Sequence, residues 1–445
     1  MTAVLHSAKP LSVSPLKISA PLGAALAFMG LDGSLPLFHG SQGCTAFALV
    51  MMVRHFREAI PLQTTAMNEL STILGGAEHV EQALLNIVKR AQPKVIGLVS
   101  TALTETRGED LAGDLKAIVA RNPQLAETAI VHASAPDFEG SLETGWASAV
   151  TALIDALVEP QPSRPAASRK VAVLAGAQLT PGDLDEIKEM VEAFGLEPVM
   201  VPDLAGSLDG HVPDAYVPTT LGGATLEQIR QLGRAAVTIA VGEHMRAPAE
   251  HLAIKAGVPA VVFDRLTGLD AVDRLVVLLS EVSGRPVPRK LRRQRSQLVD
   301  AMLDGHFFFG GRRVAVAGEP ALVTAMVGLA AELGAEVAAA VTTRDCPGLE
   351  LVPAERVVIG DFEDLEDAML EAGGVDLVIA NANARQLCAR HGVPLFRAGF
   401  PVFDRLGAAH LVTVGYRGSR DLVFSLGNIL MESPGHGHDA PLAPG

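Results

Sequence analysis

Residues 170–183 read KVAVLAGAQLTPGD, an apolar run that ends at a glycine and is followed by a helix-start signal. Short, uniformly apolar runs are typical of strands that are buried on both faces of a parallel sheet. Thr180 is placed to cap the following helix, with Pro181 in its first turn and Asp183 completing a capping box. The stretch therefore predicts a strand that leads through Gly176 into a helix.

The same pattern recurs in both directions along the chain. Further apolar runs, each followed by a segment of helical periodicity, are Lys94–Ser100, Ala236–Val241, Arg313–Ala317 and Val375–Ala380. Strands that alternate with helices predict parallel sheets covered by helices. An internal echo supports a duplicated plan, because the pattern of Lys255–Leu266 returns in Arg390–Leu406. The predicted fold class is α/β, with three Rossmann-like, doubly wound parallel-sheet domains.

Two breaks suggest the domain boundaries. Residues 159–168 are rich in Pro, Ser and Ala and lack periodicity, which is typical of a linker, and an Arg-rich stretch with two prolines follows at 285–295. We predict a first domain at 1–160 that carries the candidate ligand loop, a second at 161–295 and a third at 296–445. The third ends in a Gly- and Pro-rich tail, from residue 433, that is predicted to be disordered.

Composition and charge exclude several classes of function. The 445 residues are 49% hydrophobic and 19% charged, as in a globular protein, and 50 acidic against 36 basic side chains give a net charge of -14. Such a charge repels a nucleic-acid backbone. The longest charge-free stretches fall short of the roughly 20 apolar residues that cross a membrane. The N-terminus carries no export signal, so we predict a cytoplasmic protein without nucleic-acid or membrane partners.

The chain has three cysteines, Cys44, Cys346 and Cys388, which are too few for a disulfide framework. No CxxC pair is present to build a zinc site, and the common nucleotide-binding, metalloprotease and hydrolase motifs are absent. We therefore assign no catalytic residue. Cys346 and Cys388 are predicted to be structural.

The loop FHGSQGCTAF, at residues 38–47, differs from ordinary packing sequence. Its two glycines, Gly40 and Gly43, let the backbone approach a bulky ligand, and Cys44 stands where an amphipathic segment begins. The helix dipole favours a thiolate at a helix N-terminus, which suits a metal ligand or a nucleophile. A buried core thiol is the alternative that the loop alone leaves open.

An iron–sulfur cluster needs about four thiolates. The chain offers one cysteine in a suitable loop. If Cys44 ligates such a cluster, another polypeptide must supply the remaining ligands, and the cluster must lie at a subunit interface.

The same loop resembles the β-type subunits of the nitrogenase molybdenum–iron protein family, and the resemblance covers nearly the whole chain. The matching stretches are His39–Cys44, Arg54–Phe56, Gln63–Met67, Leu74–Gly76, Phe308–Ala317, Gly334–Val337, Gly392–Pro401, Gly407–His410 and Gly415–Gly418. Within the family the chain is similar to the branch that assembles the iron–molybdenum cofactor. The fold that this resemblance implies is that of nitrogenase component 1.

The cysteine pattern separates this branch from the catalytic β subunits, which bring three cysteines to an eight-iron cluster. Here Ser19 stands where the first of them is expected, before Pro21–Ala24. Ala102, Leu103 and Thr104 follow Val99–Thr101, where the third is expected, and none of them is a cysteine. Only Cys44 remains. One thiolate fits a [4Fe-4S] cluster that takes its other three ligands from a partner, which is the arrangement that the resemblance implies.

The resemblance further implies an α2β2 heterotetramer with an α-type subunit. The partner would hold most of a transient iron–molybdenum cofactor precursor, which a separate donor protein delivers, while molybdenum and homocitrate are inserted with the nitrogenase iron protein as reductant. His39, Gln42 and Gly43 are candidate neighbours of the cluster, with a surface histidine as the alternative for His39. Two other functions stay open: a catalytic or electron-transfer β subunit of a nitrogenase-like reductase, and a generic α/β binding module.

Overall fold

The structure is a computed structural model and describes residues 1–9, 14–68, 76–160, 168–210 and 214–433. The predicted disordered tail after Ser433, most of the predicted linker at 159–168, and residues 74 and 75 of the family pattern lie outside the described residues. No helix in the described ranges is long and apolar enough to cross a membrane.

The described strands form three sheets in which all pairings are parallel. In chain order the strands are β1 (Ala3–His6), β2 (Ser34–His39), β3 (Gln63–Thr64), β4 (Val95–Ser100), β5 (Ala129–Ala133), β6 (Lys170–Leu174), β7 (Glu197–Val201), β8 (Val237–Val241), β9 (Ala260–Phe263), β10 (Arg313–Gly318), β11 (Glu336–Thr342), β12 (Arg356–Ile359), β13 (Leu377–Ala380) and β14 (Leu395–Arg397). The strands predicted from apolar runs are all present, within two residues of their predicted starts.

The strand orders are those of doubly wound sheets. The first sheet has the order β3-β2-β4-β5, the second β7-β6-β8-β9, and the third β1-β12-β11-β10-β13-β14. In each sheet the chain winds first to one side and then to the other, which confirms the predicted fold class. In the first sheet the winding reverses between β2 and β4, and ligands of open α/β sheets bind at the carboxyl ends of the strands at such a switch point.

Helices connect the strands. Their bounds are Ala20–Met29, Gln42–Phe56, Ala77–Ala91, Ala102–Arg107, Leu111–Arg121, Leu142–Leu157, Pro181–Ala193, Leu226–Arg230, Arg246–Ala256, Leu269–Ser283, Arg289–Phe309, Pro320–Glu332, Phe362–Glu371, Arg385–His391 and Gly415–Glu432. The helix predicted after Gly176 begins at Pro181, and its capping box is formed as expected, since Asp183 N donates to Thr180 Oγ1 at 3.0 Å and Thr180 N donates to Asp183 Oδ2 at 3.0 Å.

The described chain divides into two compact units. One lies within Met1–Lys17, Asp264–Arg405 and Val412–Gly445, and the other comprises Ile18–Phe263 and Leu406–Leu411. The first unit contains the third sheet, including β1, which pairs with β12. No sequence pattern predicts this pairing. The second unit contains the other two sheets. The predicted domain boundaries stay a prediction.

The Arg-rich stretch at 285–295, the second of the two predicted breaks, is mostly helical. A helix begins at Arg289 directly after Pro288, so most of these arginines are helical, and the boundary predicted near residue 295 falls inside that helix. Proline is well tolerated at the start of a helix, where its missing N–H costs nothing. The prolines therefore mark a helix start here.

The internal echo has a structural basis. Gly257 and Gly392 each end a helix in the left-handed conformation, at φ 70° and φ 64°, and each is followed by an edge strand, β9 or β14. A glycine with positive φ is a common helix terminator. The repeated sequence thus encodes the same helix-to-edge-strand turn in two sheets.

Candidate functional site

The candidate ligand loop lies at the carboxyl end of β2, at the switch point of the first sheet. His39 is the last residue of β2 and pairs with Ser100, the last residue of β4. The Thr101 hydroxyl donates to His39 O at 2.9 Å, so the chain segments that leave the two strands are tied together. Apolar side chains of β2 and β4 pack with those of neighbouring helices beneath the loop, which gives it a rigid base.

Cys44 is exposed and lies in the first turn of the helix Gln42–Phe56. The helix begins earlier than the amphipathic segment that the sequence suggested, and Ser41 is its N-cap residue. The Ser41 hydroxyl makes no capping bond to the backbone and lies 3.4 Å from Cys44 Sγ instead. The interpretation of Cys44 as a buried core thiol is therefore wrong.

His39 is fully buried, so its interpretation as a surface loop histidine is wrong as well. Its Nε2 lies 2.8 Å from Glu109 Oε2, and its Nδ1 lies 3.0 Å from Thr65 Oγ1. Gly40 N donates to the same Thr65 oxygen at 3.2 Å. Because an ionised Glu109 only accepts, a neutral His39 carries its proton on Nε2, and the Thr65 hydroxyl donates to Nδ1. This chain of bonds fixes the backbone five residues before Cys44.

Two glycines make room for this arrangement. A Cβ on Gly76 would lie 2.4 Å from His39 Cε1, and one on Gly40 would lie 2.7 Å from Thr101 Oγ1. No sequence pattern links His39 to Glu109 or Thr65, which are far from it along the chain. Thr65 and Gly76 appeared only as parts of a family pattern, and their roles become visible through these contacts.

Burial lowers the pKa of His39 below its usual value, although the hydrogen bond to Glu109 offsets part of the effect. Burial also lowers the pKa of His132, on β5 of the same sheet, two strands from β2. The unfolded chain therefore binds more protons than the folded chain once the pH falls below the ordinary histidine value. Stability that is present at neutral pH is lost as the pH drops through that range.

We expect a His39→Gln, His132→Gln double variant to lose less stability than the wild type between pH 7.5 and pH 5.5. Urea unfolding of both proteins at the two pH values measures the free energy of unfolding that each one loses. The contribution of the carboxylates, which both proteins share, cancels when the two losses are compared. Equal losses in both proteins would show that these histidines do not carry the pH dependence.

The positions where catalytic β subunits are expected to carry further cysteines hold no thiolate. Ser19 is the residue before the helix Ala20–Met29. Burial raises the pKa of Asp137, and Ser19 offsets part of that rise. Ala102 opens the helix Ala102–Arg107, and its side chain offers no donor atom. Cys44 thus stands alone among these three positions.

The two remaining cysteines are buried in the other compact unit, as expected of structural residues. Cys388 packs in the core beneath the third sheet, and burial raises the pKa of its thiol to about 11, which disfavours the thiolate that a metal requires. Among the described residues, no group of three or more His, Cys, Asp or Glu side chains is arranged to hold a metal ion.

The helix that carries Cys44 is apolar on two sides. Thr45, Ala48, Met52 and Phe56 are buried against the unit, whereas Phe47 and Val50 are 59% and 55% exposed. Gly43 and Cys44 begin this outer side, and Val53 extends it. An apolar side that is left exposed in this way is typical of a surface that another element covers.

The comparisons with known proteins agree with the resemblance in the sequence. Residues 19–431 match the family described as "Nitrogenase component 1 type Oxidoreductase". The chain is 53% identical to the nitrogenase iron-molybdenum cofactor biosynthesis protein NifN of Mesorhizobium japonicum over 431 residues, which are 96% of this chain and 93% of that protein. It is 39% identical to the protein of the same name from Klebsiella pneumoniae, over 98% of this chain and 95% of that one.

Solved structures show the same relationship. A chain of the structure titled "Nitrogenase Cp1 at pH 6.5" matches with a TM-score of 0.89 and 30% sequence identity, over 96% of this chain and 94% of that one. A chain of "Nitrogenase Cp1 at pH 5" matches with a TM-score of 0.68 at 14% identity, which shows the fold alone.

Proposed function

The chain belongs to the nitrogenase component 1 family, and within it to the NifN proteins, and on that premise we propose that it is a scaffold subunit for the biosynthesis of the nitrogenase iron–molybdenum cofactor. It pairs with a NifE-like α-type subunit in an α2β2 heterotetramer. The observation that carries the proposal is a single exposed thiol, Cys44, at the switch point of the first sheet.

The donor chemistry at this point fits one corner of a [4Fe-4S] cluster. Cys44 offers a sulfur ligand at the surface, in the first turn of a helix whose dipole favours the thiolate. Ser19 carries a hydroxyl and no sulfur, and Ala102 has no donor atom, so this edge of the sheet supplies one thiolate where an eight-iron cluster takes three. The other three ligands come from the NifE-like subunit. The bound cluster supplies electron transfer, and this chain contributes a fixed position for one ligand.

The outer side of the helix Gln42–Phe56 supports an interface at the same place. Phe47 and Val50 lie one and two turns beyond Cys44 and are exposed by more than half of their surface. Since about half of each side chain is already covered, burying the rest against a partner contributes about 1 kcal/mol each. The partner that supplies the remaining cluster ligands lies next to Cys44. It would therefore also cover Phe47 and Val50.

The cofactor precursor is cargo in this scheme. A NifB-type donor delivers an iron–sulfur core, the NifE-like subunit holds most of it, and molybdenum and homocitrate are inserted with the nitrogenase iron protein as reductant. We assign this chain no catalytic residue, so its role is scaffolding and electron relay. A thiolate ligand needs reducing surroundings, which fits a cytoplasmic assembly.

The proposal is tested by anaerobic expression of the chain with and without a NifE-like subunit. We expect brown, iron-containing complex with the partner and colourless protein without it, as measured by iron analysis and EPR. Equal iron in the chain expressed alone would contradict a shared cluster. Reduction of acetylene or of a tetrapyrrole by the reconstituted complex would favour the alternative, a catalytic or electron-transfer β subunit of a nitrogenase-like reductase.

A further inference from the structure

The segment at residues 63–67, which we call the brace, is bound to the start of the ligand loop. The strand β3 within it is two residues long, yet its pairing with β2 continues beyond the end of both strands. Thr65 N donates to Phe38 O, and Met67 N donates to Gly40 O, each at 2.9 Å. The main chain of the brace therefore holds the residues from which the ligand loop departs.

The Thr65 hydroxyl lies at the centre of this contact. It donates to Nδ1 of His39 at 3.0 Å and accepts from Gly40 N at 3.2 Å, so one side-chain oxygen joins the ring of one loop residue to the backbone of the next. All three residues are buried. Without this hydroxyl, a buried N–H and a buried ring nitrogen would both lose their partner, which costs far more than the same loss at the surface.

The backbone of the brace is strained at Ala66, whose φ of 52° lies in the left-handed region that residues with a side chain rarely adopt. Such strain persists where the surrounding bonds over-determine the conformation, and it is most frequent at functional sites. Here Ala66 N donates to Thr64 Oγ1 at 3.0 Å, and the Thr64 hydroxyl donates to Gly40 O at 3.3 Å. Since Thr65 and Met67 on either side are also bound to the loop, these contacts hold Ala66 in its strained conformation.

The brace acts directly before the start of the helix that carries Cys44. Gly40 is followed by Ser41, the N-cap residue of that helix, and the Ser41 side chain makes no capping bond to the helix backbone. The direction in which the helix leaves the sheet therefore depends on the residues before it. His39 is also held from its other side, where the Thr101 hydroxyl donates to His39 O at 2.9 Å.

We propose that Thr65 is a positioning residue for the cluster ligand: its hydroxyl fixes the turn at His39 and Gly40, and through that turn the place of the Cys44 sulfur. The inference rests on the proposed function, because it needs a cluster for Cys44 to ligate. Groups that hold a ligand in place, without touching the metal, commonly change metal affinity by 10- to 100-fold when they are removed. A partner that fixes the other three ligands leaves little freedom for the fourth, so a displaced Cys44 binds its iron less tightly.

Thr65→Val provides the test in the complex co-purified with the NifE-like subunit, because valine keeps the shape of threonine and lacks its hydroxyl. We expect an altered EPR spectrum of the dithionite-reduced cluster and about tenfold faster loss of its iron to bathophenanthroline disulfonate. Thr65→Ser keeps the hydroxyl and is expected to restore both. Thr128→Val is the matched control, since the buried Thr128 hydroxyl donates to Pro93 O at 3.0 Å at the opposite end of the same sheet, where β5 begins. This control is expected to keep the wild-type spectrum and rate of iron loss.

Three outcomes overturn the inference: a wild-type spectrum and rate in Thr65→Val, failure of Thr65→Ser to restore them, or equal changes in Thr128→Val, which would reveal a general effect of lost stability. If Thr65→Val does not fold, Thr65→Ala removes the same hydroxyl with a smaller side chain and is judged by the same measurements. A wild-type complex without a cluster would contradict the proposed function and this inference together. A wild-type complex with its cluster, and a Thr65→Val complex identical to it, would contradict this inference alone.

Discussion

Replacing Cys44 by Ala in the complex with a NifE-like subunit is expected to remove the interface cluster, a loss of about four iron atoms per unlike pair. Cys44 is the one exposed cysteine of the chain, and it lies on the helix that begins at the switch point of the first sheet. A cluster held by three remaining ligands has an open corner. Iron analysis and the EPR spectrum of the reduced complex measure the loss.

The fold itself should tolerate this substitution. Cys44 makes one polar contact, with Ser41 at 3.4 Å, and its side chain is on the surface, where substitutions usually change stability by less than about 0.5 kcal/mol. An unchanged unfolding midpoint in the separate chain thus shows that iron loss comes from the missing ligand and not from misfolding.

Cys388→Ala is the matched control. That thiol is buried in the core of the third sheet with its pKa raised to about 11, so its removal costs stability and leaves the cluster iron in place. If Cys44→Ala kept all of its iron, the thiol would be a bystander, and the generic binding module would be the better description of this chain.

The sequence predicted the elements of the fold because their signals are local. Apolar runs gave the strands, and the Thr180, Pro181 and Asp183 triplet gave a helix start to the residue, since a capping box is made within one turn. Cys44 was found in the same way, from a loop with two glycines. The boundary near residue 295 was harder to place, because prolines open helices as well as linkers.

Long-range contacts could not be predicted in this way. Glu109 lies 70 residues from His39 along the chain, and no periodicity links the two. The exposure of Cys44 depends on which side of its helix packs against the unit. Because both sides are apolar, the sequence does not show which side is buried. The pairing of β1 with β12 joins residues that are more than 350 positions apart. It could not be predicted either, because no local pattern links residues so far apart.

Gly23 belongs to a family pattern whose physical reason is visible only in the folded structure. It lies in the Pro21–Ala24 stretch, in the helix Ala20–Met29, which crosses the helix Leu142–Leu157 at close range. A Cβ on Gly23 would lie 1.9 Å from Leu142 O, and one on Gly145 would lie 1.8 Å from Ala20 O. Each glycine thus leaves room for a backbone carbonyl of the other helix. A backbone carbonyl, unlike a flexible side chain, cannot move aside to admit a methyl group.

Gly145→Ala is therefore expected to lower the free energy of unfolding by about 3 kcal/mol, the upper part of the range for overpacked cores. The gain in helix propensity from Gly to Ala, about 1 kcal/mol, does not offset a collision with backbone. The helix Ala20–Met29 also packs on β2 and β4, with Phe28 against Gly97, so its displacement reaches the strands that carry the ligand loop. Urea unfolding of the separate chain measures the change.

Gly427→Ala is the control, because Gly427 is likewise buried in a helix but has room for a methyl group. A Cβ there would meet Phe309 Cε2 at 3.6 Å, an ordinary van der Waals contact. We expect this variant to be as stable as the wild type or up to about 1 kcal/mol more stable. If Gly145→Ala and Gly427→Ala unfolded at the same urea concentration, the close crossing of the two helices would not be the reason that residue 145 is a glycine. The first sheet would then be supported by other parts of its core.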